Sequence, residues 1–215
     1  MTVPPVKFWF AWHLEGLEHI PARGSAIVCC NHISYLDPLG NAYAVIRAGR
    51  RPRFLAKDEL FSIPLVGRAL RGAGQIPVDR RKSGDPSPLL AAQQALRAGE
   101  IVVVYPEGTV TRNPDSSPMA GKTGAVRLAL ATGTPIVPMA SWGSQSVWQK
   151  SGKGSLAFGR PIWVKAGPPI DLSAHAGRGD DREALHELTG QVMGEIGTLV
   201  EDLRERYPKR WSTPR

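Results

Sequence analysis

Five short and nearly unbroken apolar runs alternate along this chain with stretches of helical periodicity, and that alternation limits the fold more than any other feature. The runs are AIVCC at 26–30, RFLA at 53–56, QIPV at 75–78, IVVVY at 101–105 and IVPMA at 136–140. A strand that is apolar at nearly every position is buried on both faces, as in a parallel sheet covered by helices. Between the runs lie helix candidates over 38–48, 59–70, 89–98 and 124–132. A last amphipathic helix is predicted over 181–206, where Leu185, Leu188, Val192, Ile196, Leu199 and Leu203 form one apolar stripe at spacings of three and four. Strand and helix in alternation predict an α/β fold, with a largely parallel central sheet flanked by helices. Two further runs, 156–158 and 162–166, are expected as strands at one edge. The 215 residues suffice for one core, so 1–215 reads as a single domain. The polar, turn-rich segments 82–88, 112–121 and 173–182 are too short to divide it.

Lys and Arg number 27 against 19 Asp and Glu, a net charge of +8. This balance favours anionic partners, whether nucleic acid, an anionic membrane surface or phosphorylated small molecules, without choosing among them. The two cysteines, Cys29 and Cys30, are adjacent inside an apolar run. They form no loop-closing disulfide framework and show no zinc-ligand spacing, so they read as buried small hydrophobes in a reducing compartment. No apolar run of about 18 residues is present, so a spanning helix is not expected. The start, MTVPPVKFWFAWHLEG, lacks a cleavable signal layout. Its aromatic cluster Phe8, Trp9, Phe10 and Trp12 beside Lys7 is either a first core element or an interfacial anchor, which makes residues 1–12 a candidate membrane-surface segment.

In an open parallel sheet, functional residues belong in the loops beyond the carboxyl ends of the strands. NHISYLD follows the run at 26–30, and PEGTVTR follows the run at 101–105. Asp37 has a structural reading as the N-cap of the next helix, with Pro38 at the first helical position. A chain turning from strand into helix also brings residues five apart together. The Asp37 carboxylate would then hold one imidazole nitrogen of His32 protonated and leave the other as a base. There is no G-x-S-x-G elbow and no cysteine with a flanking cation, so His32 is read as activating a hydroxyl on the substrate itself. In the turn after 101–105, Glu107, Gly108 and Thr109, with Arg112 just beyond, offer a carboxylate and a cation to a polyol phosphate. GQIPVDRR at 74–81 ends another strand in two arginines, which suit bidentate phosphate contact. Two decoys fall away. AGKTG at 120–124 has Ser116 where a phosphate-binding loop needs glycine, and GKGSLA at 152–157 precedes a strand rather than a helix.

NHISYLD, GQIPVDR, YPEGT and IVPM, in this order, resemble the four blocks of the glycerolipid acyltransferase family, and the 1-acyl-sn-glycerol-3-phosphate acyltransferases are the most similar branch. The similarity runs from LEGLEHIP at 14–21 to IVPM at 136–139. It implies the glycerol-3-phosphate acyltransferase-like fold, with His32 as base on the free glycerol hydroxyl and Asp37 orienting it. The acyl group would come from acyl-CoA or acyl-carrier protein as co-substrate, with no acyl-enzyme, no metal and no other cofactor. By the same resemblance Arg80 binds the acceptor phosphate, Glu107 and Gly108 hold the glycerol end, and Lys57 in LAKDEL lies near the developing oxyanion. Thr109, Arg112 and Lys122 complete the acceptor set. The expected partners are a lysophospholipid, an acyl thioester and an anionic membrane surface, at the cytoplasmic face and peripheral or monotopic; no nucleic acid is expected. Two departures stand out. Val110 and Thr111 replace the Arg and Ser of the family's E-G-T-R-S, so Arg112 would supply the cation. Only residues 1–12 are available before the first block, so surface attachment is expected over spanning. The alternatives are the same chemistry on another lysophospholipid or glycolipid, and, remotely, a non-enzymatic basic protein of membrane surfaces or nucleic acid.

Overall fold

The computed structural model describes residues 9–79, 87–148, 154–155 and 157–212. Seven strands form one sheet: β1 Ala11–Glu15, β2 Ala26–Cys30, β3 Pro52–Lys57, β4 Ile76–Val78, β5 Ile101–Val104, β6 Ile136–Trp142 and β7 Pro161–Ala166. Their spatial order is β1-β7-β6-β2-β5-β3-β4. β6, β2, β5, β3 and β4 run parallel to one another; β7 is antiparallel to β6, and β1 is parallel to β7. The helices are α1 Asp37–Arg47, α2 Val66–Gly72, α3 Ser87–Arg97, α4 Gly124–Thr132, α5 Arg182–Arg206 and the short α6 Lys209–Ser212. None of the described helices is long and apolar enough to cross a membrane.

The unbroken apolar runs explain the layering. β2 and β5, side by side with Ile27 opposite Val102, are buried at every position. Ile27, Cys29, Val102 and Val104 face α3, α4 and α5, where the predicted α5 stripe from Leu185 to Leu203 is buried. Ala26, Val28, Cys30, Ile101 and Val103 face the other way, against Ala44 and Val45 of α1. Asp181 caps α5 by accepting from the Ala184 amide at 3.1 Å. The adjacent cysteines therefore enter opposite cores, and burial pushes the Cys29 thiol up to about 12 and Cys30 upward as well. Native protein at pH 8 should leave both thiols unreacted with a disulfide reagent such as DTNB, and denaturant should release both. Reaction of either in the folded state would contradict this packing.

Two sequence expectations are corrected. The run at 162–166 is a strand but not at the edge, because β1 pairs along its outer side. Residues 157 and 158 are not strand, and Leu156 lies outside the described residues. The helix expected over 59–70 is divided into a 3₁₀ turn, Asp58–Ser62, and α2. Pro64 causes the break, since proline disfavours helical geometry in the residue before it, and Ile63 is extended at φ −75°, ψ 122°. Gly67 is required on the far side, where a Cβ would lie 2.0 Å from the Phe61 carbonyl oxygen. Of the amino-terminal aromatics, Phe10 is buried with Leu36, Val147 and Ile162, Trp12 packs against them and Trp9 is exposed. Phe8 and Lys7 lie outside the described residues.

Ion pairs tie β1 and β7 to α5. Arg206 donates to both oxygens of Glu15 at 2.8 Å, and Lys165 donates to Asp202 at 2.8 Å. The hydrogen bond from Arg206 holds the Glu15 carboxyl down from 4.5 to about 2. A depressed carboxylate contributes stability that is present above 4.5 and is lost as pH falls toward 2. Because Glu15 is a quarter exposed, screening limits that contribution to about 1 kcal/mol or less. Arg206→Ala should therefore lower Tm at pH 6 and converge with wild type near pH 2. An equal offset at both pH values would show that only packing was lost.

Candidate active site

The site forms where two connections diverge. The β2-to-β3 connection passes through α1 on one face of the sheet, and the β5-to-β6 connection passes through α4 on the other. Neighbouring parallel strands whose connections leave in opposite directions open a crevice at their carboxyl ends. His32 lies two residues past β2, and Glu107 lies three past β5. The turn after β6 brings Ser144 to the same edge from the other side of β2.

His32 Nδ1 is 2.9 Å from Asp37 Oδ2. The Asp37 side chain is fully buried and the His32 side chain is 15% exposed. The expected N-cap is corrected here. Asp37 is the first residue of α1 rather than its cap, Leu36 holds the cap position, and no side chain caps the helix. The carboxylate folds back onto the turn that precedes it. Its Oδ2 accepts from the amides of Ile33 at 2.6 Å and Ser34 at 2.8 Å as well as from the imidazole. Its Oδ1 accepts from the Ser144 hydroxyl at 2.6 Å. Four donors converge on one carboxylate, so it is held as an anion acceptor. Nδ1 then carries the imidazole proton, and the lone pair remains on Nε2.

Beneath the imidazole lies the ring of Tyr105, 4.4 Å away and tilted by 27°. Burial pushes the Tyr105 hydroxyl well above its ordinary value, so the ring stays neutral. Its oxygen accepts from Asn41 Nδ2 at 2.9 Å, and Asn41 Oδ1 accepts from the Ser141 hydroxyl at 2.6 Å. Asn31 closes the network: its Oδ1 accepts from the Ser141 amide at 2.8 Å, and its Nδ2 donates to the Ser141 carbonyl at 3.1 Å. The Asn31 amide thus extends the β2–β6 ladder by one residue and fixes where His32 begins. Sequence reasoning missed Asn31, Tyr105, Asn41 and Ser144 as site residues. Asn31 and Tyr105 stand inside the recognised blocks, and Asn41 is one helical turn from Asp37, so each left a signal. Ser144 left none.

Glu107 is 5% exposed and fastens two loops. Its Oε1 accepts from the His32 amide at 2.8 Å, its Oε2 from the Met119 amide at 3.0 Å. The Thr111 amide donates back to the His32 carbonyl at 2.7 Å. Burial raises the Glu107 carboxyl above its ordinary value, against the pull of both amides. Gly108 has φ 72°, and the Lys122 ammonium nitrogen lies 3.1 Å from where a Cβ would stand. The Lys122 amide also donates to the Pro106 carbonyl at 2.9 Å. The structure therefore brings His32, Asp37, Glu107, Gly108 and Lys122 together. Thr109 is half-buried in the same turn, and Arg112 is exposed beyond it. Val110 is buried, so the position that carries arginine in the similar family points inward here. Lys57 is the exposed last residue of β3 and makes no hydrogen bond with the His32 turn among the described residues. Arg80 lies outside the described residues; β4, which precedes it, ends on the same edge.

Residues 12–142 match the family model described as Acyltransferase, more than half of the chain. The chain belongs to the acyltransferase family. It is 32% identical over 188 residues to the 1-acyl-sn-glycerol-3-phosphate acyltransferase of Bacillus subtilis, covering 86% of this chain and 88% of that protein. It is 31% identical over 152 residues to the chloroplastic 1-acyl-sn-glycerol-3-phosphate acyltransferase LPAT1 of Arabidopsis thaliana, of which it spans only 40%. The crystal structure of the 1-acyl-sn-glycerophosphate (LPA) acyltransferase PlsC from Thermotoga maritima superposes with a TM-score of 0.72 at 27% identity, over 95% of this chain and 76% of that one. The matched span of this acyltransferase-family chain includes NHISYLD and YPEGT, which meet at the edge that carries His32, where Glu107 accepts from the His32 amide.

Proposed function

We propose that the chain transfers a fatty acyl group from an acyl thioester, acyl-CoA or acyl-carrier protein, to the free hydroxyl of 1-acyl-sn-glycerol-3-phosphate, giving phosphatidic acid. The observation that carries this reading is the His32 imidazole, held by Asp37 through Nδ1 and without a hydrogen-bond partner on Nε2 among the described residues. His32 Nε2 takes the proton of the acceptor hydroxyl as its oxygen attacks the thioester carbonyl. The tetrahedral intermediate then collapses, the carbon–sulfur bond breaks, and the imidazolium returns its proton to the departing thiolate. An ester and a free thiol result, with no acyl-enzyme. Asp37 and the face of Tyr105 both stabilise the imidazolium in between.

The remaining roles follow the family resemblance. Lys57 donates to the oxyanion, an interaction worth roughly 3 kcal/mol in other acyl-transfer sites. Arg80, Arg112 and Lys122 bind the acceptor phosphate, and Glu107, Gly108 and Thr109 shape the pocket for its glycerol end. Since both Glu107 oxygens already accept main-chain amides, its part is to hold the loops against His32. The chemistry uses no metal and no resident cofactor, and it takes place at the cytoplasmic face of a membrane. A second reading keeps the chemistry and changes the acceptor to another lysophospholipid or glycolipid. The buried Val110 favours it, because that position offers no cation to a phosphate.

The test is thiol release from a long-chain acyl-CoA with and without lysophosphatidic acid, for wild type and His32→Ala. Acceptor-dependent release that disappears in the variant is the expected result. Release with another lysolipid but none with lysophosphatidic acid selects the second reading. No release with any acceptor from acyl-CoA or acyl-carrier protein refutes both.

A further inference from the structure

Arg160, the residue before β7, is a buried cation without a counter-ion. It is only 8% exposed, yet its side chain makes no ion pair and no hydrogen bond among the described residues, and its Nε–H is fully enclosed. Its guanidinium carbon lies 4.9 Å from the ring centre of Trp211. An aromatic face attracts a cation, but it does not replace the oxygen acceptors that a desolvated guanidinium loses. Elsewhere the chain supplies such acceptors. Arg50 donates to the carbonyls of Pro21, Gly24 and Gly99, Arg53 to Gly74 and Glu100, and Arg206 to Glu15 and Asp202. A buried charge is costly unless something pairs with it, so Arg160 is a site poised for an anion.

Its place is the edge that carries His32, because β7 is antiparallel to β6 and starts where β6 ends. One turn, Ser144–Ser146, connects the two places. On one side Ser144 donates to Asp37 at 2.6 Å. On the other, Gly143 lies so close to Tyr207 that a Cβ would stand 2.6 Å from the phenol oxygen, which donates to the Pro161 carbonyl at 2.8 Å. Burial pushes the Tyr207 phenol up to about 12, against the opposing pull of the neighbouring Arg160, so it stays neutral and supplies no counter-charge. The exposed Lys209 and Arg210 follow in α6, and the Arg210 guanidinium carbon is 5.8 Å from the Trp211 ring centre. Acidic groups of this corner are committed or turned away. Glu15 and Asp202 hold Arg206, Asp202 also holds Lys165, and Asp115 is 3.7 Å from Arg204. Glu205 is exposed two positions from both buried Leu203 and buried Tyr207, on the far side of the chain there.

The sheet order decides which anion fits. β5, β3 and β4 lie on one side of β2, and β6 and β7 lie on the other. Glu107, Gly108 and Lys122 follow β5 and Lys57 ends β3, so the described groups assigned to the acceptor and the oxyanion stand on the first side. Arg160 stands on the second. Both kinds of thioester donor carry the acyl group on a pantetheine arm that ends in a phosphate. From β2 to β7 is two strand spacings, about 10 Å, which an extended pantetheine arm spans. Arginine matches phosphate oxygens with paired, charge-assisted hydrogen bonds. We propose that Arg160, with Lys209 and Arg210, binds the phosphate at the end of the acyl donor's pantetheine arm. Donor and acceptor then approach His32 from opposite sides of β2, and their phosphates stay apart. This rests on the acyltransfer reading for the identity of the ligand.

Thiol release would be measured with acyl-CoA, with acyl-carrier protein and with S-acyl-pantetheine, which lacks the phosphate. The proteins are wild type, Arg160→Gln, Arg160→Lys, Lys209→Ala/Arg210→Ala and a control at the opposite edge, Arg97→Ala. Arg160→Gln should raise KM for the phosphate-bearing donor roughly ten- to a hundredfold, the range of a hydrogen bond to a charged group, with kcat little changed. KM for S-acyl-pantetheine should stay put, and Arg160→Lys should recover part of the loss. The donor that shows the rise, CoA or carrier protein, is the source of the phosphate. An equal rise with S-acyl-pantetheine would reduce Arg160 to packing and overturn the proposal. So would a rise in KM for lysophosphatidic acid alone, which would assign the cluster to the acceptor. If Arg160→Gln lowers Tm, the exposed double variant decides: it should raise the same KM severalfold at native Tm, and no change would sink the idea. Calorimetry with CoA, and with carrier protein bearing or lacking its phosphopantetheine arm, separates this inference from the enzymatic one. Wild type and His32→Ala should bind CoA or the armed carrier alike, and Arg160→Gln should bind it more weakly. Such binding without acyl transfer would sink the acyltransfer reading alone, transfer without it would sink this inference alone, and the absence of both would sink both.

Discussion

His32→Ala should lower kcat/KM for acyl transfer by roughly 10²–10⁴, the range that a positioned general base contributes. The stability cost should be small. The imidazole is partly exposed and its ring nitrogen supplies only one of four donors to Asp37. Its amide and carbonyl, which fasten the turn to Glu107 and Thr111, survive the substitution. The loss should fall on the chemical step, with KM for the thioester changing little. The measurement is a pH profile of thiol release on both proteins, with Tm recorded alongside. A variant within a few-fold of wild type at every pH would remove His32 as the base.

The fold was legible because burial on both faces leaves a direct trace. Ala26–Cys30 and Ile101–Val104 are apolar at every position, and both are central strands. The edges left weaker traces. Ala11–Glu15, with its His and Glu, pairs on one side only, so nothing forces an apolar run and the strand carries no periodic signal. The helix expected over 59–70 misled for a local reason, since its periodicity runs through Pro64, which the chain cannot carry in a helix interior. At the site, the blocks that announce themselves are those whose side chains meet within a few residues, as His32 and Asp37 do. Ser144 meets Asp37 across 107 residues of sequence. A contact of that separation exists only once β2 and β6 are paired, so no local pattern reveals it. The sequence offers Glu107 as a ligand group; only the packed structure shows both of its oxygens committed to main-chain amides.

Asp37 supports the second large effect, and two substitutions divide its roles. Asp37→Ala should cost about 3–5 kcal/mol, because it leaves the buried amides of Ile33 and Ser34 and the Ser144 hydroxyl without their acceptor. Activity would fall with it, but that result alone does not separate chemistry from folding. Asp37→Asn does. An asparagine oxygen in the Oδ2 position still accepts from Ile33, Ser34 and His32 Nδ1, and its NH₂ group meets the Ser144 hydroxyl, which accepts as readily as it donates. Stability should then drop by only about 1–2 kcal/mol. The negative charge is gone, however, and only the face of Tyr105 remains beside the imidazolium that forms when His32 takes the acceptor's proton. The rate should fall by roughly 10²–10⁴ at nearly native Tm, as when the carboxylate of other His–Asp pairs is neutralised. Denaturation curves and kcat/KM on the two variants decide the matter. Asp37→Asn with near wild-type turnover would make Asp37 a structural anchor for the 31–37 turn and nothing more, and the base would then need no counter-charge.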